Sequence, residues 1–223
     1  MASPFPQLSG RRLPPDYLGQ VSAFFSLIFA LLMQSVGWRK ARIVGLSMGG
    51  GVAAAFAAKF PWLVESNVAL IASVGVMEVQ YLFYGSFGLR FNGTLYRALF
   101  TPAPPPALPK DISKSEQLLR KEQMLFGLQS AILPGYTAAV AASVFVGPLR
   151  GLENEFKKLG KLKGVRVQLI WGTKDVIVPY KYADKIKGLI PHAELVTVDG
   201  AGHDICATHY EVVSDSLIGF LRA

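Results

Sequence analysis

The stretch Arg42-Ile43-Val44-Gly45-Leu46-Ser47-Met48-Gly49-Gly50-Gly51 limits what this chain can fold into more than any other. A short β-branched run enters a Gly-x-Ser-x-Gly pentad and passes without a break into Val52-Ala53-Ala54-Ala55-Phe56-Ala57-Ala58-Lys59, whose alanines favour helix. The pattern predicts a strand, a sharp turn and a helix. A turn this tight strains the backbone of its central residue. It also needs positions without side chains two residues away on each side, so that strand and helix can nearly touch. Gly45 and Gly49 fill those positions. The turn lifts the Ser47 hydroxyl over the helix N-terminus, where unpaired N–H groups and the macrodipole favour developing negative charge. Ser47 is therefore the candidate nucleophile. A Rossmann fingerprint needs Gly-x-Gly-x-x-Gly and a P-loop needs Gly-Lys-Ser/Thr, and this stretch has neither.

A chain of 223 residues suits one domain with a substantial core. Hydrophobic residues make up 51% and charged ones 17%, which excludes a disordered chain and leaves a globular or membrane-associated one. The net charge of +8 comes from basic residues that are scattered along the chain and cluster only at 39–42 and 157–163. Scattered charge reads as a solvated face, so no nucleic-acid partner is expected. Cys206 is the single cysteine, which excludes an internal disulfide and fits a reducing, cytoplasmic location. His192, His203 and His209 form no metal-binding spacing with each other or with Cys206, and neither a metal nor a cofactor is expected.

Residues 1–15 are punctuated by Pro and Gly and read as an irregular tail. The segment from Tyr17 to Trp38 carries no charge. Its length reaches the minimum for a membrane-crossing helix, so association with a membrane through 17–38 is one expectation. The other is a buried helix that leads directly into the Ile43 strand, and this reading is preferred because Gln20, Ser22, Ser26 and Gln34 interrupt the apolar surface. Phe60-Pro61 ends the helix that follows Ser47. Val68-Ala69-Leu70-Ile71-Ala72-Ser73 then reads as a strand buried on both faces.

From Val76 the pattern changes. Tyr81, Phe83, Tyr84, Phe87, Phe91, Tyr96 and Phe100 form an aromatic segment, Pro102 to Pro109 a proline-rich break, and Ile112 to Leu159 several helices with stops at Pro134-Gly135 and Gly147-Pro148. Asn92-Gly93-Thr94 matches a glycosylation acceptor, which matters only in a secreted chain. The expected organisation is 1–75 and 161–223 as two parts of one core, with 76–160 as a helical cap or lid between them.

Strand and helix alternate again from Val165. Val165–Trp171 predicts a strand, Gly172-Thr173-Lys174-Asp175 a turn, and Pro179 to Leu189 a helix opened by proline. Ala193–Val198 predicts the next strand, Asp199-Gly200-Ala201-Gly202-His203 a second turn, and His209 to Leu221 a final amphipathic helix. Asp175 and His203 thus sit past strand ends on the rim that carries Ser47, the edge where open α/β sheets place their ligands. An imidazole within reach of a serine hydroxyl takes its proton, and a carboxylate on the far ring nitrogen fixes the tautomer. Asp199 and Asp204 are rivals for the acid. They lie too close to His203 in sequence to reach its outer nitrogen easily.

The segments Gly45-Leu46-Ser47-Met48-Gly49-Gly50, Leu169-Ile170-Trp171-Gly172-Thr173-Lys174-Asp175 with Val178-Pro179, and Gly200-Ala201-Gly202-His203 together resemble the α/β-hydrolase superfamily. The resemblance covers roughly Tyr17 to the C-terminus. It implies an α/β fold with a mostly parallel sheet and a helical lid insertion, Ser47 as nucleophile, His203 as general base, Asp175 as its partner, and the backbone N–H of Met48 as half of an oxyanion hole. It also implies a serine hydrolase that cleaves small hydrophobic, acyl or lipid-like esters through an acyl-enzyme. Members of the family place several strands before the helix that precedes the nucleophile, and the chain is expected to be N-terminally truncated relative to them. The Ile43 strand would then be an open apolar edge, an invitation to self-association. The alternative function is a catalytically impaired remnant of the family that serves as a binding or interaction module.

Overall fold

The computed structural model describes residues 17–78, 112–136 and 147–223, together with positions 139, 140 and 143. In chain order its elements are α1 (Tyr17–Ser35), β1 (Ala41–Leu46), α2 (Met48–Lys59), a short 3-10 turn (Pro61–Leu63), β2 (Val64–Ile71), α3 (Lys114–Ile132), α4 (Glu153–Leu159), β3 (Arg166–Gly172), α5 (Lys181–Leu189), β4 (Glu194–Val198), α6 (Ile205–Thr208) and α7 (Tyr210–Arg222). The four strands pair in the order β1-β2-β3-β4, and every pair is parallel. Leu46 stands opposite Ile71, Ile71 opposite Ile170, and Ile170 opposite Val196. This register aligns the C-terminal ends of the strands, so the turns that leave them share one rim.

A parallel sheet needs cover on both faces because its crossover helices return over it. One core cluster joins Phe56 of α2, Phe156 of α4 and Ile186 of α5 to Val68, Leu70, Leu169 and Trp171 of the sheet. On the opposite face, Ile71, Ile170 and Val198 pack with Ile205 and Val213. β3 is buried along nearly its whole length. β1 is not. Its Val44 and Leu46 are exposed while Ile43 and Gly45 are buried.

α1 departs from the preferred expectation of a buried helix. Its buried side chains include Ser22, Ser26 and Met33, whereas Phe24, Leu27, Ile28, Leu31 and Leu32 are about half exposed. The serines that interrupt the apolar surface lie on the buried side of α1, where Ser22 accepts from Lys59 Nζ of α2 at 3.4 Å. Ser26 also satisfies its own hydroxyl by donating to the Ser22 carbonyl at 2.7 Å. Among the described residues, no helix is long and apolar enough to cross a membrane.

The other boundaries shift little. β2 starts at Val64 and ends at Ile71, because Ala72 turns to a φ of 44° and leaves the strand. The last helix is split, with His209 at φ −127° separating α6 from α7. α3 and α4 lie on either side of the Pro134-Gly135 stop. The tail at 1–15, the aromatic segment, the proline-rich break and the Asn92 acceptor fall outside the described residues.

Candidate active site

Ser47 links β1 to α2 with φ 53° and ψ −118°. It is one of two non-glycine residues at positive φ among those described. Side chains rarely tolerate this region, and such strain persists only where surrounding bonds enforce it. Here the Ser47 N–H donates to the Ile71 carbonyl at 2.9 Å, and the Ser47 carbonyl accepts from Val74 N–H at 3.1 Å and Gly50 N–H at 3.0 Å. A Cβ on Gly45 would collide with the carbonyl of Gly49. That much agrees with the pentad logic. Gly49 itself differs: among the described residues, a Cβ there would meet nothing within 4 Å. The second crowded position is Gly50, where a Cβ would lie 2.5 Å from Ser73 Oγ. The helix rotates Gly49 outward and turns the next glycine against the loop after β2.

The Ser47 hydroxyl makes no capping bond to α2. Its Oγ lies 3.0 Å from His203 Nε2, and His203 Nδ1 lies 2.8 Å from Asp175 Oδ2. The Asp175 side chain is fully buried, while that of His203 keeps 24% exposure. A buried carboxylate needs its lone pairs filled. The second oxygen of Asp175 accepts the N–H groups of Ile177 at 2.9 Å and Val178 at 2.8 Å. The carboxylate is thus held by its own turn and aimed at the ring. With the proton on Nδ1, the ring donates to Asp175 and offers Nε2 as an acceptor to the serine hydroxyl. An arrangement of this kind is equipped to remove a proton from Ser47. Met48, the other sequence-predicted position, heads α2, where the first N–H groups of a helix have no intrahelical partner.

The turns that carry the acid and the imidazole are also fastened to each other. Thr173 N–H donates to the Val198 carbonyl at 3.1 Å and Lys174 N–H to the Ala201 carbonyl at 2.9 Å. A Cβ on Gly172 would strike Ala201, so the two turns touch backbone to backbone. The Thr173 hydroxyl donates to Asp199 Oδ1 at 3.0 Å and accepts from Gly200 N–H at 2.9 Å. Asp199 therefore serves Thr173 and is not the partner of His203. Asp204 precedes α6, and Cys206 packs against the second core cluster. His192 is exposed, and His209 Nδ1 lies 2.9 Å from Thr208 Oγ1. Sequence reasoning missed Thr173 and the two N–H groups that hold Asp175. A threonine next to the glycine of a strand-end turn, two residues before the acid, was the available signal.

Comparison with known proteins bears on the fold. A family model described as alpha/beta hydrolase fold matches residues 8–210. An uncharacterized protein of Mycobacterium tuberculosis is 26% identical over 181 residues, covering 77% of this chain and 53% of that protein. The monoacylglycerol lipase ABHD6 of Bos taurus is 25% identical over 212 residues, covering 92% of this chain and 60% of the lipase. The chain thus spans about half the length of the curated relatives that it matches. Among solved structures, a carboxylesterase of Nitrososphaera gargenis superposes with a TM-score of 0.66 at 19% identity, covering 91% of this chain and 72% of the other. At that identity the likeness is one of fold.

Proposed function

We propose, for a chain that belongs to the α/β-hydrolase fold family, that Ser47, His203 and Asp175 hydrolyse esters of hydrophobic acids by way of an acyl-enzyme. The observation that carries the reading is one imidazole bonded on both sides, 3.0 Å from a strained serine and 2.8 Å from a buried carboxylate. Ser47 Oγ attacks the ester carbonyl as His203 Nε2 takes its proton, and Asp175 stabilises the imidazolium through Nδ1–H. The oxyanion gathers over the N-terminus of α2, where the Met48 N–H is one donor. His203 returns the proton to the leaving alcohol. Water then repeats the sequence on the acyl-enzyme and frees the acid. Named relatives include a monoacylglycerol lipase and a bacterial lipase, which favours lipid-like acyl groups.

In this reading 1–75 and 161–223 form the catalytic core, and the cap that holds the acyl chain lies within 76–160, ahead of α4, whose Phe156 packs into the core. The described part of that segment supports it: α3 contacts α6, beside the His203 turn, and exposes Leu125, Leu128 and Ile132 at helical spacing. The test is labelling of the purified chain with a fluorophosphonate. Labelling abolished by Ser47→Ala is expected, with ester turnover falling by about 10,000-fold or more. Wild-type labelling no greater than that of Ser47→Ala would end the catalytic reading.

One observation favours a second reading, a catalytically impaired member of the family that acts as a binding module. β1 is an edge strand among those described, with Val44 and Leu46 open to solvent. Such an edge invites pairing with another chain, including a second copy of this one. Turnover of short-chain nitrophenyl esters that disappears in His203→Ala would exclude the impaired reading.

A further inference from the structure

The acid and the imidazole arrive on different turns, and the turn that carries His203 is rich in glycine. Its run Asp199-Gly200-Ala201-Gly202 contains two glycines, one of them at a φ of 74°. Glycines lower the resistance of a loop to rearrangement. The imidazole must nonetheless stay within hydrogen-bond distance of two fixed partners at once, and a displacement of about 1 Å in a catalytic group can cost on the order of 100-fold in rate.

We propose that Thr173 is a positioning residue that latches the His203 turn to the Asp175 turn through its hydroxyl, a role that rests on the hydrolytic reading above. The hydroxyl uses both of its capacities across the gap, donating to Asp199 Oδ1 at 3.0 Å and accepting from Gly200 N–H at 2.9 Å. It thereby grips the start of the loop on either side of one peptide bond. The β-branched side chain restricts χ1, which keeps the hydroxyl on this bearing without help from packing. Thr173 is itself exposed, so it adds little to the core. Its backbone bond to Val198 does not depend on the side chain. The latch touches neither Ser47 nor substrate; it acts by limiting where the imidazole can go.

The experiment compares the wild-type chain with Thr173→Val, Thr173→Ser, Asp199→Ala and the Thr173→Val/Asp199→Ala double variant. Each is followed by fluorophosphonate labelling rate, by kcat and KM on a short-chain nitrophenyl ester, and by thermal melting. Thr173→Val is expected to lower kcat and labelling rate about three- to tenfold, the size of one net hydrogen bond, with KM little changed. Its melting temperature should stay within about 3 °C of wild type. Thr173→Ser, which keeps the hydroxyl, should recover most of the loss. Asp199→Ala, which removes one of the two bonds, should give a smaller drop, and the double variant should lose little more than Thr173→Val, which already removes both.

Wild-type kcat in Thr173→Val, a rise in KM alone, additive losses in the double variant, or failure of Thr173→Ser to recover would each overturn the latch while leaving the hydrolytic reading intact. If Thr173→Val melts much lower than expected, Asp199→Ala with Thr173→Ser decides the question: a normal rate in the former overturns the latch. A wild-type chain that neither labels nor turns over ester overturns both readings together.

Discussion

The two flanks of the sheet are built on opposite terms. On the β3–β4 flank, Trp171 is buried completely and its indole N–H reaches the Val178 carbonyl at 2.9 Å. Gly172 touches Ala201, and the turns beyond it are joined by backbone and side-chain bonds. On the β1–α1 flank, Val44 and Leu46 look into solvent from the strand, and α1 turns serines inward and leucines outward. Both flanks contribute to the candidate site, β1 through Ser47 and β3 through Asp175. The difference teaches that the acid and the imidazole are seated by dense local packing. The serine depends on a few specific contacts: the Gly45 approach, the Gly50–Ser73 contact and three hydrogen bonds.

Matched substitutions break or sharpen this contrast. The largest effect is expected from Trp171→Ala, which should cost about 3–5 kcal/mol of unfolding free energy through loss of burial and a cavity. Trp38→Ala, at 59% exposure, should cost within about 0.5 kcal/mol. Urea denaturation of both would dissolve the contrast if the two losses were equal. Next comes a pair of glycines. Gly172→Ala should destabilise by roughly 2–3 kcal/mol by forcing the two turns apart. Gly49→Ala, whose Cβ would meet none of the described residues and which sits in a helix, should instead stabilise by about 0.5–1 kcal/mol. A Gly49→Ala chain that melts earlier would show crowding at that glycine after all.

The smallest change in stability is expected from Val44→Lys and Leu31→Glu, each within about 0.5 kcal/mol because both positions already face solvent. Their interest lies elsewhere. Charge on an open edge or an exposed apolar face opposes pairing with another chain, so each should reduce any self-association seen by sedimentation. A large loss of stability in either would mean that this flank is covered in solution.

Much of the candidate geometry was legible in the sequence. The Gly-x-Ser-x-Gly pentad between a β-branched run and an alanine-rich helix pointed to Ser47, and the two later strand-end turns pointed to Asp175 and His203. These signals are local, because tight turns at strand ends demand particular residues whatever surrounds them. The errors came where neighbours decide. Ser22 and Ser26 looked like breaks in an apolar surface, yet they lie on the buried side of α1. The spacing singled out Gly49, and among the described residues the loop after β2 also crowds Gly50. Thr173 stood in plain view in the sequence, but its value exists only because β3 and β4 are adjacent and in register.

The chain's own order of residues therefore determined the class of fold and the three side chains that meet, because periodicity and turn chemistry act within a few residues and are written there directly. Only the tertiary structure decided which face of α1 is buried, which glycine is crowded, and that one exposed threonine spans two turns. Those outcomes depend on distances between segments far apart along the chain, and packing sets those distances.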